Sequence, residues 1–160
     1  MKRIELTQGQ FALVDNEDYE ELNKWKWHAY KNRYGGFAAI RNKGKWPHQQ
    51  GVSMHRAVMG YPKGLQVDHR NHNTLDNRKS NLRICTNSQN SMNRVLYENT
   101  SSQYKGVYRN KNAKKWRTCI EHNGKKIHLG LFTNEVEAAK TYNKAAKELF
   151  GEFAYLNFER

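Results

Sequence analysis

The chain has 160 residues, of which 28 are Lys or Arg and 15 Asp or Glu, and its net charge of +13 suits a polyanionic partner better than a small neutral substrate. The excess is no tail: residues 1–98 hold 16 basic and 9 acidic side chains and residues 99–160 hold 12 and 6, leaving +7 and +6, so both parts can meet nucleic acid. No apolar run approaches the roughly 20 residues that cross a bilayer, and Met1-Lys2-Arg3-Ile4-Glu5 leads into no secretory segment, so a cytoplasmic protein with no membrane partner is expected.

Residues 3–41 read as short strands and turns. Residues 11–14 make a buried-strand candidate, and Asn16 is placed to cap a short acidic helix reaching about Leu22. Trp25, Trp27 and Ala29 alternate with Lys26, His28 and Tyr30, which is strand periodicity, and Gly35-Gly36 turns the chain into Phe37-Ala38-Ala39-Ile40 as a β-hairpin. The aromatic side chains alternate so regularly with polar ones that they read as core. A short helix is expected within 52–59, ending at Gly60, with His55 serving packing or the back of a site. Leu65-Gln66-Val67-Asp68 reads as a strand running into His69, and Leu82-Arg83-Ile84-Cys85 as a second strand after an Asn-rich stretch. Thr86 with Gln89 forms a capping-box pattern, so the next helix carries Asn90 on its first turn. Cys85 and Cys119 have no partner at metal-ligand spacing and read as small buried residues.

The polar, aperiodic stretch after Arg94 marks a linker. Three strands follow, around 104–109, 115–121 and 125–132, the last two joined through the hairpin signal Asn123-Gly124. Asn134 with Glu137 caps a closing helix whose Val136, Ala139, Tyr142, Ala146, Leu149 and Phe150 repeat at helical spacing before Gly151 ends it. One apolar face of that helix suits one face of the three-stranded sheet.

The chemistry-bearing residues cluster. Asn81 lies twelve residues after His69 and Asn90 nine residues after that, which supplies a base, an ordering amide and two oxygen ligands for a hard metal. Cleaving a phosphodiester needs those parts: a base for the attacking water and positive charge at the phosphate and the departing oxygen. His69 is the base candidate because an unperturbed imidazole titrates near neutrality. Asp68 and Asn90 are hard oxygens, and Mg²⁺ takes one or two of these while keeping waters and substrate phosphate. Neighbours on a strand face opposite ways, so the strand must end or twist near His69. A competing zinc site built on Asp68, His69 and His72 lacks further ligands.

Val67-Asp68-His69, Leu75-Asp76-Asn77-Arg78, Ser80-Asn81-Leu82-Arg83 and Ser88-Gln89-Asn90 resemble the HNH endonuclease family, in particular its homing-type members of phages and mobile introns. Met54-His55-Arg56 before the motif is similar to this group as well. The resemblance implies a ββα-metal motif that cuts double-stranded DNA with one divalent cation, Mg²⁺ first and Mn²⁺ as the other candidate. It implies His69 as general base, Asp68 and Asn90 as metal ligands, and Asn81 as the residue that holds the loop and helps position the histidine. Many members have His where this chain has Asn90, and Asn93 is the rival for that role. Arg70, His72 and Arg78 are DNA-contact candidates around the motif.

Residues 102–158 resemble the Apetala or ethylene-response-factor DNA-binding domain, through Tyr104-Lys105-Gly106-Val107, Lys115-Trp116, Ile127-His128-Leu129-Gly130, Glu137-Ala138-Ala139, Tyr142-Asn143-Lys144-Ala145-Ala146 and Leu156-Asn157-Phe158. That resemblance implies a sheet entering the major groove, with Lys105, Arg109, Trp116, Arg117 and Lys126 as the contact set on one sheet face. Tyr108 and His128 replace an Arg and a Trp of the plant members, so their target sequence does not carry over.

The expected architecture is α+β: a ββα-metal nuclease domain over 1–94 with its motif at about 65–94, a linker at 95–102, and a three-stranded antiparallel sheet packed on one helix over 103–158. A monomer, or a transient dimer on DNA, would act on DNA in the cytoplasm of a bacterial host. The alternative is a non-cleaving DNA-binding regulator. An RNA-binding factor is a third reading, disfavoured because the sheet lacks a row of glycine-flanked aromatics.

Overall fold

The computed structural model describes the chain apart from residues 33–35, 46, 95–99, 111, 113, 159 and 160. Gly35 of the expected turn and most of the expected linker therefore lie outside the described residues. The chain divides into two compact units, Met1–Asn87 and Ser88–Arg160, and its elements form small antiparallel sheets with helices.

In the first unit β1 (Lys2–Glu5) pairs with β2 (Phe11–Val14), and α1 (Asn16–Asn23) follows. The N-cap position belongs to Asp15 instead of Asn16. Its carboxylate does not cap the helix but accepts the Lys79 backbone N–H at 2.8 Å, which ties the start of α1 to the loop of the motif. The strand expected from Trp25 begins only at His28. In β3 (His28–Lys31) Ala29 faces the core, while Trp27 precedes the strand, buried, with its indole N–H donating to Leu22 O at 2.8 Å. Trp25 is 49% exposed and stacks under the Arg41 guanidinium, 4.1 Å from the ring centre. Alternation across 25–29 reflects a helix exit here, not a ladder.

β4 (Phe37–Lys43) completes the expected hairpin with β3 and also pairs with β5 (Gln50–Ser53). Val52 is drawn into that ladder opposite Arg41, so α2 is limited to Met54–Val58. Ile4 of β1, Ala12 and Val14 of β2, Leu22 of α1, Ala39 of β4 and Met54 of α2 form the core together with Trp27. β6 (Gln66–His69) and β7 (Leu82–Cys85) make the last antiparallel pair of the unit. α3 (Asn87–Met92) starts directly after Thr86, as the capping pattern indicates, and all but its first residue belong to the second unit.

The second unit is a sheet of order β10-β9-β8, from β8 (Val107–Asn110), β9 (Lys115–His122) and β10 (Lys125–Phe132), with α4 (Glu135–Phe150) against it and a 3-10 turn at Gly151–Phe153. The first of these strands is displaced from the expected 104–109. Gly106 sets the limit: φ is +78° there, and a Cβ would come 2.0 Å from the Tyr142 ring, so the backbone lies flat on the helix before the strand begins. Asn123 and Gly124, both at positive φ, form the expected two-residue hairpin. A bulge between His128 and Gly130 shifts the register. It lets Leu129 reach the core and Phe132 pair with Trp116 on the helix side, although the two positions differ in parity.

The Asn134 side chain caps α4 through the backbone N–H groups of Val136 and Glu137, and Gly151 closes it at positive φ. The buried stripe is Ala138, Ala139, Tyr142, Asn143, Ala146 and Phe150. Val136 and Leu149, expected on it, are 39% and 37% exposed, because one helix on one narrow sheet covers a stripe slimmer than its apolar sequence face.

Candidate active site and nucleic-acid interface

The β6–β7 register sets Asp68 opposite Arg83 and His69 opposite Leu82. Both members of the Asp68–Arg83 pair are buried, and Arg83 donates through Nε and Nη2 to Asp68 Oδ2 at 2.9 and 2.7 Å. β6 ends at His69, as the two-face problem of adjacent functional residues requires. His69 itself is 6% exposed.

Beyond His69 the chain folds into a loop held by Asn81. Its Oδ1 accepts the Asn71 N–H at 3.0 Å, its Nδ2 donates to Asp76 O at 2.8 Å, and its carbonyl accepts the Arg70 N–H at 2.9 Å. One buried amide thus joins both sides of the loop. The base of the loop rests on β2: Leu13 N–H donates to Leu75 O and Asn77 N–H to Leu13 O, each at 2.8 Å. Asp76, also buried, accepts a two-pronged contact from Arg78 at 2.7 and 2.6 Å and another from Asn71 Nδ2 at 3.0 Å. The Arg78 hydrogen bonds hold its carboxyl below the usual value, against the opposing effect of burial.

Asn77 and His55 both stand against the His69 ring. Asn77 Oδ1 is 3.3 Å from Nε2, and His55 on α2 presents its ring edge-on, with centroids 5.1 Å apart, which makes the expected back of the site a direct ring contact. Burial pushes the His69 imidazole below its ordinary value, opposed by Asn77, Asp68 and Asp76. His55 is held lower still, at about 4, by burial first and then by His69 and Arg56. Both rings are neutral at neutral pH.

Reading the sequence did not assign roles to Asn77, Arg83 or this use of His55. Arg83 had a detectable signal: once the two strands are paired antiparallel, it is the residue opposite Asp68. Asn77 had none, because its contact depends on how the loop between the strands is folded.

The other expected site residues lie on different elements. Arg70 is exposed; His72, half-buried, sits at φ +62° in the loop. Arg78 is committed to Asp76. Asn90 stands half-buried on α3 in the second unit, whereas its rival Asn93 lies past the last residue of that helix and is 4% exposed.

In the second unit the sheet register separates the expected DNA-contact set. Tyr108 pairs with Arg117 and Lys126 with Glu121 on the face away from α4, where the Lys126 ammonium lies 5.1 Å from the centre of the Tyr108 ring. Arg109 pairs with Trp116 on the helix side, its guanidinium 4.9 Å from the indole. The two groups alternate along the strands and so cannot share one face. Lys105 differs again: its ammonium donates to the carbonyls of Met92 and Arg94 at 2.6 and 2.8 Å, and burial lowers its pKa to about 8.

Among the described residues no three of His, Cys, Asp and Glu gather into a cluster. Arg83 holds the Asp68 carboxylate in one orientation, and oxygen donors of this type suit hard divalent ions.

Residues 54–92, from α2 to the end of α3, match the HNH endonuclease family profile. Over 155 residues the chain is 34% identical to an uncharacterised HNH endonuclease of Acanthamoeba polyphaga mimivirus, covering 93% of this chain and 75% of that relative. The chain belongs to the HNH endonuclease family. A second relative, Protein 3.8 of Escherichia phage T7, is 30% identical over 93 residues, 58% of this chain and 76% of its own. The enzyme is therefore a DNA-hydrolysing endonuclease of a family that is generally dependent on divalent metal. No helix among its described residues is long and apolar enough to cross a membrane.

The two histidines give the endonuclease a defined acid sensitivity. A group whose pKa is depressed on folding contributes stability that is intact above its unfolded value and is lost as pH falls toward the folded value. For His55 that window runs from 6.5 down to about 4, and its full width corresponds to roughly 3 kcal/mol. Urea denaturation should show the midpoint falling across this window in the wild type and a flatter profile in His55→Phe; parallel profiles would remove His55 as the cause.

Proposed function

We propose that the endonuclease nicks duplex DNA as a homing-type enzyme of the ββα-metal kind, with His69 as general base and the second unit as its DNA-positioning domain. The observation that carries this reading is the buried His69 at the end of β6, backed by Asn77 and His55 and following the Arg83-held carboxylate of Asp68. In this reading His69 takes a proton from the attacking water, Asn81 keeps the loop in shape, and Asp68 and Asn90 hold one divalent ion, Mg²⁺ or Mn²⁺. When bound, the ion supplies positive charge at the phosphate and the departing oxygen. One such site addresses one strand, so a monomer nicks and a double-strand break needs a second protomer. Supercoiled plasmid incubated with Mg²⁺ or with EDTA tests the reading directly: metal-dependent open circles support it, and cleavage that persists in EDTA would refute it.

For the second unit, the Apetala-like reading places DNA on the sheet face away from α4. Arg117 and Lys126 are exposed there beside Tyr108, Arg109 with Trp116 forms a separate patch, and Arg70 and His72 are the contacts assigned near the site. Lys126→Ala should weaken duplex binding at every sequence and lower the slope of log affinity against log salt by about one, because one phosphate contact fewer releases about one counterion fewer. Fluorescence anisotropy across a salt series reads this, and an unchanged slope would remove Lys126 from the footprint.

A further inference from the structure

We propose that Arg41 is a phosphate-contact residue of the first unit, its guanidinium held on an indole platform and its Nη edge open to a backbone phosphate of the duplex. Such a contact requires only that the enzyme act on DNA, and it holds whatever His69 and the second unit do.

Arg41 sits on β4 with its guanidinium 4.1 Å from the centre of the Trp25 ring and 5.6 Å from that of Trp27. Trp27 is buried and Trp25 half open to solvent, so the cation lies where the core meets the surface. Its Nε is enclosed without a hydrogen-bond partner, which leaves the Nη groups as the accessible edge. Among the described residues no carboxylate or carbonyl accepts from that edge either, and the indoles are what hold the side chain. Other arginines of the unit close their forks on acceptors: Arg83 on Asp68, Arg78 on Asp76, and Arg56 on the carbonyls of Leu65 and Pro62 at 2.9 and 2.8 Å. Arg41 is instead ordered by stacking, with its donors uncommitted to the protein. Stacking fixes the plane of the guanidinium and removes part of the entropy cost of a later contact, and a planar two-pronged donor matches the oxygens of a phosphate.

Its place on β4 brings this cation alongside the site. The first residue of the strand, Phe37, accepts the Thr74 hydroxyl of the motif loop through its carbonyl. Arg41 pairs with Val52 of β5, the strand that leads directly into α2 and His55. The step along the strand from Phe37 to Arg41 is roughly 13 Å, about the axial length of four nucleotides, so one duplex can meet both the motif loop and Arg41.

Fluorescence anisotropy of the full chain on a mixed-sequence duplex in EDTA, over a salt series, tests this without any cleavage, with urea midpoints to establish that each variant is folded. Arg41→Gln should bind about three- to tenfold more weakly and lower the slope of log affinity against log salt by about one. Lys144→Gln, the same charge change at an exposed position of α4, should leave both near wild type. Arg41→Lys should keep the slope without the full affinity, because an ammonium carries the charge but not the planar fork. Trp25→Ala should weaken binding at unchanged net charge, since it frees the guanidinium; wild-type affinity there overturns the platform. A folded Arg41→Gln with wild-type affinity and slope overturns the proposal, and so does an equal loss in Lys144→Gln, which would reduce the effect to bulk charge. Should Arg41→Gln fail to fold, Arg41→Lys decides: weaker binding at a retained slope supports the contact, and wild-type affinity overturns it.

Discussion

His69→Ala is expected to slow plasmid nicking by about 10²- to 10⁴-fold, the contribution of a positioned general acid–base group, while duplex affinity stays close to wild type. The separation follows from where the ring lies. His69 is 6% exposed, packed between Asn77 and His55, and offers DNA little surface, so its loss removes proton transfer more than binding. The exposed cations that would meet phosphate, Arg70 in the first unit and Arg117 and Lys126 in the second, are untouched. Truncating a buried ring also opens a cavity, so His69→Gln, which fills more of that volume, should accompany it and show the same loss. Single-turnover nicking beside anisotropy titration makes the comparison; affinity falling in step with rate would contradict the role.

Arg83→Met should destabilise the first unit by about 3–5 kcal/mol, the usual cost of stranding one member of a buried ion pair. Arg83 is the cross-strand neighbour of Asp68 and donates twice to one of its oxygens, with both side chains buried. Removing the guanidinium leaves a carboxylate without that compensation in a place water hardly reaches. The double variant Asp68→Asn with Arg83→Met should recover most of the loss, since it removes the charge that was stranded. Urea midpoints at neutral pH measure both. A neutral Arg83→Met, or a double variant no better than the single, would show that the pair contributes little to folding.

Features carried by local chemistry were legible in the sequence. The Asn134 cap, the Asn123-Gly124 hairpin and the strand that ends at His69 depend on residues within one turn or one ladder, and they stand where their spacing puts them. Features set by register or by loop closure were not. The bulge at His128 and Gly130 changes which residues of β10 share a face, and alternation alone divides Arg109 and Trp116 from Arg117 and Lys126; a basic composition is blind to both. In the site, Asp68, His69 and Asn81 were legible as a motif, but the partners that orient them were not. Arg78 and Lys105, both read as DNA-contact candidates, are bound to Asp76 and to backbone carbonyls respectively, and a sequence shows that a cation is present but not what holds it.

The commitment of Lys105 has a bearing on how such an enzyme can be rebuilt. Its ammonium holds the carbonyl of Met92, the last residue of α3, while the Met92 side chain packs in the cluster of Ile120, Tyr142, Ala146 and Phe150. The helix that bears Asn90 is thus finished by residues encoded much later in the gene. Replacing everything after residue 94 would strip that helix of its support, so a chimaera has to bring a surface that covers α3 along with whatever module it carries.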